Sequence, residues 1–217
     1  IGELTLSSND YKHPEVKVVL LEGVLKSPKE GAEWYAGESK RIEWTVGHPI
    51  TRAEGLYYSV DGGASWKELS RTLGNRTSYD WAVPDTPTDR AKIKLVVRFS
   101  NGEAYEVTRS FKIRRVVLGV SHQVLDFGDV ALGQSKTLRL AISNKGEGVN
   151  GTLKVSVTSS DPAFVVSPRS LNIPPGETRQ LTVKVRPNKD THIGELTLSS
   201  NDYKHPEVKV VLLEGVL

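Results

Sequence analysis

The side chains most able to do chemistry here are five histidines: His13, His48, His122, His192 and His205. A zinc site needs imidazoles or thiolates a helical turn or a short loop apart. No two of these histidines have i, i+4 spacing, and the chain has no cysteine to join them. Disulfides and thiolate metal sites are excluded with it. The 26 Asp and Glu residues are dispersed, with no Asp-x-Asp-x-Asp-Gly loop. Calcium at a domain join is the one metal reading left open. There is no Gly-x-Ser-x-Gly, no P-loop and no dinucleotide fingerprint. Residue types and spacing therefore assign no catalytic residue, no cofactor and no metal ligand, and the chain reads as non-enzymatic. Two sequons, Asn75-Arg76-Thr77 and Asn150-Gly151-Thr152, matter only in a source that glycosylates secreted proteins.

One short stretch has a chemistry of its own, that of a turn. In Ser59-Val60-Asp61-Gly62-Gly63-Ala64-Ser65-Trp66 the aspartate can accept hydrogen bonds from turn amides. The glycines supply unusual dihedrals, and the tryptophan can close over the hairpin. The stretch resembles an Asp-box, Ser-x-Asp-x-Gly-x-Thr-Trp, with Ser65 in place of threonine. Ser59, Asp61, Gly63 and Trp66 carry the likeness, which implies a structural hairpin. The neighbouring aromatics permit two readings. Trp34, Tyr35 and Tyr57 (or Tyr58) could form a flat platform that stacks on a sugar ring. Alternatively Trp44, Trp66 and Trp81 form a sandwich core, since tryptophan is mostly buried.

The elements that must hold these residues are strands. Ile42-Glu43-Trp44-Thr45-Val46, Leu138-Arg139-Leu140-Ala141-Ile142, Leu153-Lys154-Val155-Ser156-Val157 and Leu181-Thr182-Val183-Lys184-Val185 alternate apolar and polar residues. A period of two puts one face in a core and the other in water. Turn signals separate the runs: Asp61-Gly62-Gly63, Ser100-Asn101-Gly102, Lys145-Gly146-Glu147-Gly148 and Pro174-Pro175-Gly176. Many short punctuated strands predict an all-β chain of two immunoglobulin-like β-sandwiches in tandem. The expected boundaries are 1–25, 26–115 and 116–217. Residues 26–115 hold all four tryptophans, whereas 116–217 has none and is built on Val, Leu and Ile. The join at Arg114-Arg115-Val116-Val117-Leu118 lacks a Gly, Pro or Ser cushion, which argues for a stiff connection.

Composition agrees with two soluble domains. Of 217 residues 37% are hydrophobic and 25% charged, with a net charge of +3. Lys and Arg are interspersed with Asp and Glu, so no nucleic-acid partner is implied. No apolar run approaches a membrane span, so no membrane insertion is expected in this segment. The absence of methionine suggests a mature piece or a window cut from something longer.

Two family resemblances follow. Trp34-Tyr35-Ala36-Gly37 through Ile42-Glu43-Trp44, then Tyr58-Ser59-Val60-Asp61-Gly62-Gly63 and Tyr79-Asp80-Trp81-Ala82-Val83-Pro84, resemble an Ig-like domain of bacterial and fungal wall proteins over residues 32–113. Leu125-Asp126-Phe127-Gly128-Asp129-Val130-Ala131-Leu132-Gly133, Ile142-Ser143-Asn144, Phe164-Val165-Val166-Ser167-Pro168 and Ile173-Pro174-Pro175-Gly176 resemble an ASH (hydin-like), or choice-of-anchor, domain over 119–217. The second resemblance implies a seven-stranded sandwich used for spacing or protein interaction, with no catalytic residues.

Residues 1–25 and 193–217 are identical at every position, IGELTLSSNDYKHPEVKVVLLEGVL. Fold alone needs only an apolar pattern, so such identity points to a tandem repeat of period 192. The second copy is the last strand pair of the ASH-like sandwich, and the first is the same pair without its domain. A lone hairpin is marginal in water. Leu4, Leu6, Val16, Val18 and Leu20 are thus candidate assembly positions. They complete either a preceding domain of one long chain or, as donor strands, a sandwich of another subunit. The expected partners are copies of the chain itself, with cell-surface glycans or proteins as further candidates. The expected role is a structural repeat of an extracellular filament, cell-surface stalk or adhesin. The alternative is a carbohydrate-binding or accessory module of a secreted cell-surface protein or glycosidase.

Overall fold

The computed structural model describes residues 2–7, 9, 12, 15–21, 23–188 and 192–215, without the side chains of 2–6 and 15–20. Among the described residues there are strands and no helix. The chain divides into two compact units, Ile1–Ile113 and Arg114–Leu217.

The first unit contains β1 (Gly2–Ser7), β2 (Glu15–Leu20), β3 (Leu25–Ser27), β4 (Ala32–Tyr35) and β5 (Ser39–Trp44). It continues with β6 (Ile50–Ser59), β7 (Lys67–Ser70), β8 (Ser78–Ala82), β9 (Thr88–Phe99) and β10 (Ala104–Arg114). One sheet has the order β4-β10-β9-β6-β7 and the other β3-β5-β8. The inward residues of both sheets meet in one core, which includes Ile42, Trp44, Leu56, Trp81, Ile93, Leu95, Val97 and Phe111. Alternation places them there: along β9 every second residue from Ala91 to Phe99 is buried. Among the described residues β1 and β2 form a two-stranded sheet of their own.

The core corrects two expectations. Trp34 and Tyr35 are only 7% and 5% exposed, so neither belongs to an outer sugar platform. Trp34 packs on Trp81 and Phe111, with ring centroids 5.9 and 5.1 Å away. Trp66, expected in the core, is half-buried and lies outside it. The expected boundary after residue 25 also moves. Val24 and Leu25 are fully buried in the first core, and Leu25 pairs with Trp44. They belong to the aromatic sandwich because β3 starts there.

The second unit contains β11 (Leu118–Val120), β12 (Val124–Asp126), β13 (Lys136–Asn144), β14 (Leu153–Ser159) and β15 (Phe164–Ser167). It ends with β16 (Ser170–Ile173), β17 (Thr178–Val185), β18 (His192–Ser200) and β19 (Glu207–Glu214). The sheets run β11-β13-β17-β15 and β12-β19-β18-β14-β16. These nine strands exceed seven because two stretches of chain each serve both sheets, β11 then β12, and β15 then β16. β11 joins one sheet antiparallel to β13, and β12 crosses to the other, parallel to β19. The core is aliphatic around Phe127 and Phe164, whose centroids are 5.4 Å apart.

Candidate functional site

The feature with most to position is the duplicated hairpin. In the second unit β18 lies between β14 and β19, and β19 also pairs with β12. Leu196, Leu198, Val210 and Leu212 are completely buried, and Val208 is half-buried. Together they floor one side of the sandwich. In the first unit the same sequence forms β1–β2 with the same register. Gly2 faces Leu20, Leu4 faces Val18 and Leu6 faces Val16. In β18–β19 Gly194 faces Leu212, Leu196 faces Val210 and Leu198 faces Val208. Leu4, Leu6, Val16, Val18 and Leu20 are thus the register equivalents of residues that close a sandwich. Their own side chains lie outside the described set.

The loop of the second hairpin does more than turn the chain. The Asn201 side chain accepts from the Lys154 amide at 2.8 Å and donates to the Thr152 carbonyl at 3.0 Å. Asp202, 2% exposed, accepts from the Leu118 amide at 2.9 Å and the Lys204 amide at 2.9 Å. One Asn-Asp pair thereby ties the hairpin to the starts of β14 and β11. Buried backbone amides need such partners. Asn9 and Asp10 repeat this pair in sequence.

Two more polar groups hold the second sandwich. Asn144 is buried and donates to the Gly151 and Ile173 carbonyls, at 2.7 and 3.0 Å, while its oxygen accepts from the Gly146 amide at 3.0 Å. His192 is 2% exposed, with Nδ1 2.8 Å from an Asp161 oxygen. The Asn188 amide donates to its Nε2 at 3.2 Å, so Nδ1 carries the proton shared with Asp161. This His–Asp pair has its second nitrogen occupied by backbone. It anchors the start of β18 to the turn after β14. Among the described residues no three His, Asp or Glu side chains converge as a metal cluster.

The aspartate hairpin of the first unit lies between β6 and β7. Asp61 accepts from the Ser65 amide at 3.0 Å, from the Ser65 hydroxyl and from the Ser59 hydroxyl at 2.7 Å. These bonds, the Ser65 hydroxyl first, hold its carboxyl well below the usual carboxylate range. Ser59 Oγ in turn accepts from the Gly63 amide at 2.8 Å. Gly63 has φ +98°, and an added Cβ would meet the Trp66 ring at 3.2 Å. Trp66 covers the turn from outside. Lys94 Nζ lies 4.8 Å from its centroid and 5.3 Å from that of Tyr57. Of the three residues offered as a sugar platform, only Tyr57 lies on the outer face, and a lysine already occupies it. Nearby, Glu54 takes a paired bond from Arg98, 2.8 Å at each oxygen, and further bonds from Arg52. Arg98 and then Arg52 lower its pKa to about 2.

Sequence reasoning missed three participants. Leu21, Val24 and Leu25 looked like the end of a hairpin, yet Leu21 packs against the aromatic core that Val24 and Leu25 enter. The signal was available in Glu22-Gly23, which interrupt an apolar run. The Gly23 φ of +81° is a conformation that favours glycine and marks the end of a strand.

The split strands β11 and β12, shared between the two sheets, make the second unit an Ig-like β-sandwich. Residues 117–214 match the family model described as HYDIN/CFA65/VesB-like, Ig-like domain. This agrees with the hydin-like motifs read over 119–217. Over 139 residues the chain is 33% identical to the abnormal spindle-like microcephaly-associated protein homolog of Felis catus. That alignment covers 61% of this chain but 4% of the cat protein, so the chain spans a small part of its relative. Among solved structures it is similar to the ASH/PapD-like domain 7 of human CEP192, at 14% identity and a TM-score of 0.38, covering 46% of this chain and 84% of that one. A protein of unknown function from Porphyromonas gingivalis W83 aligns at 16% identity and a TM-score of 0.42, over 89% of this chain and 100% of the other.

Proposed function

We propose that the chain is a structural repeat module, a two-sandwich spacer whose partners are further copies of itself. The observation that carries this is the hairpin that occurs twice with one sequence and one register. In one place it closes a sandwich, and in the other it pairs with nothing beyond itself among the described residues. Residues 1–21 then finish a sandwich built by residues equivalent to 114–192 of a preceding copy. The link is covalent: repeats of 192 residues follow one another in one polypeptide. The finer setting is a stalk, adhesin or filament at the cell surface. That part rests on the likeness of residues 32–113 to wall-protein domains, and the relatives' names carry no pointer to it.

Denaturing electrophoresis of native material tests the covalent link. A band several times the 23.9 kDa of this chain supports it. A band near that mass overturns it in favour of strand exchange between subunits. Protease treatment of intact cells tests location: loss of the native polypeptide supports the surface, and full protection overturns it.

A further inference from the structure

The outward face of β18 and β19 is polar at one end and apolar at the other. At the polar end Lys209 and Glu195 form an ion pair at 3.0 Å, beside Thr197 and Glu207. At the other end Val211 faces Val124 of β12, and Leu213 faces Ile193. Ile193 is 63% exposed, Val124 47% and Val211 38%, while Leu213 is half-buried. Single exposed apolar residues are ordinary, but three exposed ones adjoining a half-buried fourth on neighbouring strands make a patch suited to an interaction. This apolar end is the end from which the chain leaves toward residue 216.

The first copy supplies the occupant. Leu21-Glu22-Gly23-Val24-Leu25 has the same sequence as Leu213-Glu214-Gly215-Val216-Leu217. In the first copy Leu21 rests on the aromatic core, and Val24 and Leu25 lie inside it. The Val24 amide donates to the Leu21 carbonyl at 3.3 Å, and the Val24 carbonyl accepts from the Thr45 amide at 2.9 Å. Gly23 and Gly215 share the left-handed conformation, φ +81° and +66°. In the second copy the strand stays anchored up to Gly215, whose amide donates to the Gly128 carbonyl at 3.1 Å. The next residue matches Val24, the first core residue of an aromatic sandwich. Three residues reach at most about 10 Å, so that core starts beside Leu213.

Resting on the tandem reading above, we infer that Leu213, Val211 and Ile193 seat the aromatic sandwich of a following copy. Leu213 serves two domains at once, as a strand residue of one and a wall of the next. With no free linker residue, the junction between repeats is stiff.

The test extends the 217-residue chain by residues 26–113, so that the added part reproduces 24–113. Methyl resonances of Ile193, Val211 and Leu213 are compared with those of the shorter chain. Marked shifts of all three are expected, and Leu213→Ser should lower the midpoint of the added sandwich by about 4–8 °C. A folded added sandwich with unmoved methyls overturns the inference. If the added part does not fold, Leu21→Ser in the 217-residue chain decides. A fall of about 4–8 °C in the tryptophan-detected midpoint supports the seat, and an unchanged midpoint overturns it. Electrophoresis of native material judges the repeat separately. A band near 23.9 kDa with shifted methyls sinks only the covalent link.

Discussion

Leu4 and Leu196 are the same residue in the same 25-residue context, so their truncation isolates tertiary structure from sequence. Leu196 is completely buried on β18, opposite Ser159 on one side and Val210 on the other. Leu196→Ala removes three carbons from a filled core. Such changes cost about 2–5 kcal/mol, and about 3 is reasonable for a central strand. For a domain of this size that is a fall of roughly 12–24 °C in midpoint. Leu4→Ala in the 217-residue chain should stay within about 0.5 kcal/mol, as at sites away from a packed core. Scanning calorimetry reads both sandwiches, and tryptophan fluorescence reads only the first, which holds all four tryptophans. In a chain lengthened at its N-terminus by residues 114–192, Leu4→Ala should cost as much as Leu196→Ala does. Equal costs of the two substitutions in the 217-residue chain would refute the reasoning, because β1–β2 would then be packed without a second copy. No cost in the lengthened chain would refute it from the other side.

Asn144→Ala strips partners from the Gly151 and Ile173 carbonyls and the Gly146 amide. Each buried orphan costs about 1–3 kcal/mol, so urea unfolding of the second sandwich should shift clearly, and a change below about 0.5 kcal/mol would count against the hub. Glu54 has a folded-state pKa lowered from 4.5 to about 2 by Arg98 and Arg52. Its stabilising contribution is therefore full above pH 4.5 and is lost as pH falls toward 2. The gap in tryptophan-detected stability between the native chain and Glu54→Gln should close across that window; a gap that persists at pH 2 would contradict the pairing. Asp61→Ala removes the acceptor of both Ser65 bonds, and the indole of Trp66 should become more exposed. A red-shifted emission is expected, and an unchanged spectrum would show that the turn is held otherwise.

Much of the fold was readable before any coordinates. Leu153-Lys154-Val155-Ser156-Val157 alternates in sequence and alternates in burial along β14. A period of two has one physical meaning wherever one face is covered, so such strands need no tertiary information. The aromatic strands were harder. Trp34 and Tyr35 are neighbours on β4, and a strand sends neighbours to opposite faces. The sugar-platform reading needed both outward. Both are buried, since Trp34 meets Trp81 and Phe111 while the Val83–Gly37 and Tyr35–Glu38 backbone bonds fold the next turn against that strand end. The polar hub at Asn144 appeared in sequence only as part of a motif, because its partners are 7 and 29 residues away.

By itself the sequence determined that this chain is β throughout, that its halves differ in core chemistry, and that one hairpin occurs twice. Periodicity and identity are properties of the chain, legible without contacts. The tertiary structure decided which face of each strand is inside, where one module ends and what the hairpin closes. Leu21 and Leu213 make the difference plain. Their sequence neighbourhoods are identical, yet one lies against an aromatic core and the other beside an open apolar face. Burial depends on the residues that arrive from elsewhere in the chain, and no local pattern contains them.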